Sequence, residues 1–370
     1  MTESKNFYRP STVSLPGETL VDVLAKRGMS QAELAQRMGR PKKTINEIVK
    51  GKTVITPDTA LELERVLSEP TASFWLSREQ QYRESLARQD EERRLTEYDV
   101  EITKWHLPLN DMVRRNWLPS MSTRAERARE VLSFFGMATP ENWKALYIDH
   151  QAMWRRTPSV SEKHGKIAAW LRRGEAQAQK VTTAPYDRDG FIAVLKEIRD
   201  RLLTKKKLAD ILPEIERLCA AVGVVVIMVE EFAGAGIKAA ARWLSQDKAL
   251  IQISYLWDRL DIFWFNFFHE AAHVLLHGKR EVFIEDDDHA PDVAVEEAEA
   301  DRFASDTLIE PKALRTFLQR TVIDTPDVIR FARLVGVDPC IVVGRLRREK
   351  VVSPAFGNEL MVKLGKNAKG

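Results

Sequence analysis

The chain has 370 residues, more than one ordinary domain of ~150 residues needs, so two or three domains are expected. Hydrophobic residues make up 44% and charged residues 30%, a balance that supports buried cores and excludes a largely disordered chain. Two cysteines, Cys219 and Cys340, stand far apart, which excludes a disulfide scaffold and a cysteine-based zinc finger and fits a reducing cytoplasm. Glu3, Lys5, Arg9 and Pro10 argue against a secretory signal, and the apolar stretches are too short to span a bilayer.

The formal net charge of +3 hides an uneven distribution. Lys26, Arg27, Arg37, Arg40, Lys42, Lys43, Lys50 and Lys52 crowd one segment against only Glu33 and Glu47. From Glu281 to Asp301 there are ten acidic residues and no basic one. One end is therefore cationic and the other anionic.

In chain order, residues 12–85 read as short helices broken at Gly39, Pro41, Gly51 and Pro57. Ser30 is an N-cap with Glu33 completing a capping box, and Leu34, Ala35 and Met38 form the apolar face of one short helix. Gly39 supplies a left-handed turn, and Pro41 suits the first turn of the next helix. Ile45 and Ile48 bury that second helix, leaving Lys42, Lys43, Thr44, Asn46 and Lys50 on its other face. Two short helices joined by a glycine turn form a helix-turn-helix, whose second helix lies in the major groove. Asn46 has the donor and acceptor pair that reads adenine, and Lys42 or Lys43 reaches guanine or phosphate. Lys50 and Lys52, beyond the helix, suit phosphates, and Gln31 at the start of the first helix joins the DNA-facing set. A generic small bundle with a basic surface is the alternative.

Residues 86–204 read as a helical, charged connecting region punctuated by Pro108, Pro119, Pro140, Pro158 and Pro185. Trp105, Trp117, Trp143, Trp154 and Trp170 mark it as packed helices. From about 205 the pattern changes. The β-branched run Val222-Gly-Val-Val-Val-Ile-Met-Val predicts a buried strand, and Ile237–Trp243 and Ala249–Ser254 predict two more. A long helix is expected from near Asp261 to the stop signal at Gly278.

That helix carries His269-Glu-Ala-Ala-His273. Histidines four apart leave one helical face a turn apart, the spacing that puts two nitrogens on one tetrahedral zinc, with Glu270 beside the open position as general base. A buried helix with hydrogen-bonded histidines is the plainer alternative. A third ligand strengthens the metal reading. Lys279 stands where a metzincin needs histidine, which excludes that subclass. His277 is expected to bond locally, and His289 falls in an acidic loop. Glu297 and Asp301, four apart on a following helix, allow Glu297 to ligate while Asp301 holds the outer nitrogen of a ligating histidine. A shift of one helical step would promote Glu299 or Glu296 instead. Three acids in four residues are otherwise a solvated helix start.

Two resemblances sharpen these expectations. Pro16-Gly-Glu-Thr-Leu, Ser30-Gln-Ala-Glu-Leu-Ala, Gly51-Lys-Thr-Val-Ile-Thr-Pro-Asp-Thr-Ala-Leu and Pro70-Thr-Ala-Ser-Phe-Trp-Leu resemble the XRE-type domain of HigA-like antitoxins over residues 12–85. The resemblance implies dimeric binding to an inverted-repeat operator, repression of the chain's own operon, and in many members a RelE/HigB-type toxin partner. His269-Glu-Ala-Ala-His273, with Glu297-Ala-Glu-Ala-Asp-Arg-Phe-Ala-Ser-Asp-Thr-Leu-Ile-Glu-Pro311, resembles the ImmA/IrrE zinc metallopeptidases over about 205–350. It implies an α+β zincin-like fold with zinc, or manganese as the other ion, held by His269, His273 and Glu297, with Glu270 as base. The known substrates of that family are helix-turn-helix repressors. Leu308-Ile-Glu-Pro311 departs from the usual apolar ending.

The expectation is a multidomain chain: an all-α helix-turn-helix at 12–85, a helical middle region at 86–204, an α+β domain with a small sheet at 205–350 and a tail at 351–370. The favoured role is a cytoplasmic, homodimeric transcriptional regulator whose zinc endopeptidase cleaves itself or a partner repressor in a stress, phage or toxin–antitoxin response. The rivals are a HigA-like antitoxin whose zinc domain is structural or toxin-binding, and a constitutive protease that uses the helix-turn-helix for docking.

Overall fold

A computed structural model describes residues 13–144, 146–147, 162–256, 258–277, 283–285, 294–320 and 322–365. Trp154, Pro158, Lys279, His289 and residues 281–282 and 286–293 of the acidic run lie outside these residues. The chain forms two compact units, Met1–Glu97 and Tyr98–Gly370.

The first unit holds α1 (Pro16–Lys26), α2 (Gln31–Met38), α3 (Lys42–Val49), α4 (Pro57–Leu67) and most of α5 (Ala72–Thr103). Local chemistry sets each boundary. Pro16 and Pro57 open their helices where the missing N–H costs nothing. The Ser30 hydroxyl accepts from the Glu33 N–H at 3.1 Å, and Gly39 closes α2 at φ 62°, a left-handed conformation that suits glycine. The expected capping box is only half made, because the Glu33 carboxylate turns to Arg37 at 2.7 Å. Leu20, Leu24, Leu34, Ile45, Ile48, Leu63, Leu67 and Trp75 form a dry core, each nearly or wholly buried.

The second unit begins with α6 (Leu109–Arg114), α7 (Arg124–Phe135), α8 (Glu141–Lys144), α9 (Glu162–Ala178), α10 (Arg188–Leu202) and α11 (Leu208–Ala220). Strands β1 (Val224–Met228), β2 (Ala239–Ser245) and β3 (Lys248–Ile253) follow, then α12 (Leu260–Leu276) and β4 (Phe283–Glu285). Helices α13 (Ala294–Leu308), α14 (Pro311–Leu318), α15 (Thr325–Val335) and α16 (Pro339–Arg348) complete it. The sheet order is β1-β3-β2-β4, with β1 parallel to β3 and the other pairs antiparallel. The three predicted strands and the long helix form where their apolar patterns place them. The acidic run holds a fourth strand, Phe283–Glu285, that its charge concealed.

Strand periodicity shows why the sheet needs two covers. Val224, Val226, Ile251 and Ile253 join the main core with α10, α11, α12 and α16. Val225 and Leu250 face the other way and pack with Ala178 of α9. Helix α9 is tied down by the Trp170 indole N–H donating to Val229 O at 2.9 Å, and by Gln252 donating to Trp170 O at 2.8 Å. Gln252 is wholly buried. Residues 98–204, expected within a separate connector, therefore belong to the second unit, because α9 and α10 cover faces that the strands cannot leave wet.

Helix α12 is the centre of this unit. Phe263 through Leu275 are all buried, so its two histidines and Glu270 sit in an almost wholly apolar rod.

Candidate functional site

The first site is the exposed face of α3. Ile45 and Ile48 are anchored in the core, so the rest of the helix is oriented by them. Lys42 and Lys43 are exposed, Thr44 and Asn46 half-buried, and Lys50 and Lys52 exposed just beyond the helix. Lys43 lies 3.8 Å from Glu47, a loose pair that leaves its ammonium accessible. Gln31, at the first position of α2, is half-buried. The two helices, joined by the left-handed Gly39, thus carry the predicted DNA-facing residues on one short assembly.

The second site is built from α12 and α13. Helical periodicity stacks His269 and His273, whose Nε2 atoms stand 3.0 Å apart. Glu297 of α13 reaches both, with Oε2 3.1 Å from His269 Nε2 and Oε1 3.5 Å from His273 Nε2. The three donor atoms lie within 4.8 Å of one another. Bonds of ~2.0–2.1 Å in a tetrahedral shell place donors roughly 3.3 Å apart, so this set fits one zinc ion.

The outer contacts fix the ring tautomers. His269 Nδ1 lies 3.0 Å from Asp301 Oδ1, so its N–H donates there and Nε2 is left to ligate. His273 Nδ1 lies 2.8 Å from His277 Nδ1. If His273 ligates through Nε2, its Nδ1–H donates to His277, whose own proton then sits on Nε2, 3.4 Å from Glu299 Oε2. Glu299, left outside the ligand set by its spacing, thus stands behind His277. The relay His273–His277–Glu299 was not legible in the sequence beyond the local bond expected of His277. Glu296 has no part in the cluster, and Glu297 is the carboxylate brought between the imidazoles.

Electrostatics favour cation binding. Burial lowers the His273 pKa below the ordinary histidine value, which keeps the ring neutral and able to ligate. Burial alone would raise the Glu297 carboxyl, but its close contacts with both imidazoles prevail and hold it well below the usual carboxylate range. Glu270 is wholly buried, next to His269 in sequence and three residues before His273, hence on the adjoining helical face.

Residues 22–74 match the helix-turn-helix family model, and residues 219–347 match the model of the M78 peptidases, an IrrE N-terminal-like domain. The chain carries both domains. Virulence-associated protein A of Dichelobacter nodosus is 37% identical over 62 residues, which are 16% of this chain and 61% of that protein. The chain therefore spans less than two thirds of that relative. Among solved structures, an addiction module antidote protein of a HigA family from Coxiella burnetii is 28% identical, covering 22% of this chain and 90% of that one, with a TM-score of 0.21. A Nostoc punctiforme protein described as an antidote of a plasmid maintenance system is also 28% identical, covering 22% and 88%, with the same TM-score of 0.21. Among the described residues, no helix is long and apolar enough to cross a membrane.

Proposed function

We propose that the chain is a DNA-binding transcriptional regulator whose second unit is a zinc-dependent endopeptidase, acting on itself or on a partner repressor. The observation that carries this reading is the His269–His273–Glu297 cluster beside a wholly buried Glu270, in one chain with a helix-turn-helix. A site needed only for structure has no use for Glu270. Burying a carboxylate in an apolar helix is costly, and a proton-transfer role explains why one is kept there.

His269, His273 and Glu297 would hold the ion, with Asp301 and His277 orienting the two rings. When bound, the ion supplies Lewis-acid polarisation of a peptide carbonyl and of the attacking water. Glu270 accepts the proton of that water as it attacks, then returns it to the departing amine. The dimeric, inverted-repeat binding expected of the helix-turn-helix gives the cleavage a readout: losing either repressor or helix-turn-helix unit empties the operator.

Glu270→Gln is the decisive variant, because it preserves shape and leaves the three ligands in place. Intact-mass analysis after incubation with zinc or manganese should show cleavage of the chain or of a co-purified repressor, reduced at least ~100-fold in the variant. If both proteins bind metal and behave identically in cleavage and derepression, the metal is structural. A repressor with a scaffold domain then replaces the peptidase reading.

A further inference from the structure

Away from the metal cluster, a cavity of about 500 Å³ opens in the second unit where β1 and β3 end. These two strands run parallel, so the cavity receives the carboxyl ends of both: Met228 closes β1, and Tyr255 lies two residues beyond β3. The last residues of α6 and one face of α9 supply the rest of the wall. Three arginines line it, Arg114, Arg115 and Arg173, against a single carboxylate, Glu230.

The arginines differ in how they are satisfied. Arg115 donates to the backbone carbonyls of Glu230 and Glu231 at 2.7 and 2.9 Å and lies over the Phe232 ring at 4.5 Å, so it is fixed as part of the wall. Arg114 is exposed at the rim and paired with Asp111 at 2.8 Å. Among the described residues, Arg173 has neither kind of partner: its buried Nε has no hydrogen-bond acceptor, and its guanidinium rests over the Trp117 ring at 5.4 Å. Burial lowers its pKa with no carboxylate to oppose the effect. Its neighbour Arg172 shows the usual arrangement, donating to Phe134 O at 2.7 Å and pairing with Glu175 at 2.9 Å.

The α9 backbone beside Arg173 is held against the sheet. The next residue, Gly174, lies so close to the buried Gln252 that an added Cβ would sit 1.9 Å from its Oε1, so α9 is pressed onto the sheet at this point. A half-buried guanidinium with no paired carboxylate among the described residues is one that a bound anion would stabilise. The cavity is larger than a bare ion needs and falls within the size range of small-molecule sites. The carboxyl ends of parallel strands are also where open α/β sheets receive ligands.

We propose that this cavity binds a small molecule bearing a phosphate or carboxylate group, with Arg173 as the principal contact and Arg114 at the entrance. The inference does not depend on the peptidase reading, because the cavity shares no residue with the metal cluster. It gives the second unit a place to receive a chemical signal.

Isothermal titration of the full chain with inorganic phosphate and, separately, with citrate at constant ionic strength tests this. One saturable site for at least one anion is expected. Phosphate alone indicates a phosphorylated ligand; citrate alone indicates a carboxylate one. Arg173→Gln should weaken binding at least about tenfold, whereas Lys42→Gln in the DNA-facing helix and His269→Ala in the metal cluster should leave it unchanged. Circular dichroism checks that Arg173→Gln folds; if it does not, the rim variant Arg114→Gln decides, with a severalfold loss expected. The proposal is overturned if neither anion saturates the wild type, if a folded Arg173→Gln binds as wild type does, if Arg114→Gln in the deciding role binds unchanged, or if Lys42→Gln or His269→Ala abolishes the site.

Discussion

Each member of the metal cluster has a separable role. His269→Ala, His273→Ala and Glu297→Ala should each lose the ion, read as metal per chain after dialysis, while Glu270→Gln should keep it. Glu299→Ala should stay near one ion per chain, because its carboxylate meets His277 and stands outside the His269–His273–Glu297 group. His277→Ala should retain the site but weaken it about 10–100-fold in competition with a chelator, since His273 loses the partner that sets its tautomer. The pH response follows from His273, whose folded-state pKa is depressed by burial. The stability that this neutral ring contributes is fully present above an ordinary histidine pKa, ~6.5, and is lost as pH falls below that value. The metal-free protein should therefore have a lower urea midpoint at about pH 5.5 than at about pH 7.5, and His273→Ala should flatten the difference. The meeting of His269 with His273, and of both with a carboxylate on α13, was legible because a helix converts a spacing of four into a shared face. The Arg173 cavity was not, because its walls come from α6, α9, β1 and the segment after β3, and no spacing rule links them.

Among the elements, α3 and α9 carry the clearest tests. Asn46→Ala should cost about 1–3 kcal/mol of binding at one base pair in each half-site, whereas Lys52→Ala should weaken all sequences alike and reduce the salt slope. Quantitative gel shifts on matched and mutated operators measure both, and equal loss on specific and non-specific DNA in the Asn46 variant would remove it from the base-reading set. Gly174→Ala should destabilise the second unit by about 1–3 kcal/mol in urea titration, since the new methyl overlaps a buried Gln252. Gln252→Ala should relieve part of that cost in a double-mutant cycle. Strand β1 was legible from its β-branched run, and β2 and β3 from the short, largely apolar stretches that follow it. The short β4 was not, because Phe283–Glu285 is flanked by acids and its place at the sheet edge comes from pairing with β2.

On the scale of the whole chain, the two units have separate cores, one built from residues between Leu20 and Trp75, the other from Phe191 to Leu364. Leu34→Ala, which empties a wholly buried position, should cost the first unit about 2–5 kcal/mol and abolish operator binding. Metal content should be unchanged, and a parallel loss of metal would contradict the independence of the cores. The helix-turn-helix was legible because its cap, its glycine turn and its apolar spacing lie in one short stretch from Ser30 to Ile48. The extent of the second unit was not, since α9 reads as a charged helix and only the sheet reveals what it covers.

Helices α12 and α13 lie next to one another but are separated in sequence by the acidic run, and α13 offers few deeply buried anchors beyond Ala300, Ala304 and Leu308. Its carboxylate, clasped between two imidazoles, would make a bound ion a staple joining distant stretches of backbone, in a chain whose only thiols, Cys219 and Cys340, are buried and unpaired. Such a staple restricts the unfolded chain as a crosslink does, but it opens and closes with metal supply. On the proposed reading, the three donors that would hold the ion also set how firmly α13 is held, so withdrawing the metal would loosen this unit at the same stroke as it empties the site.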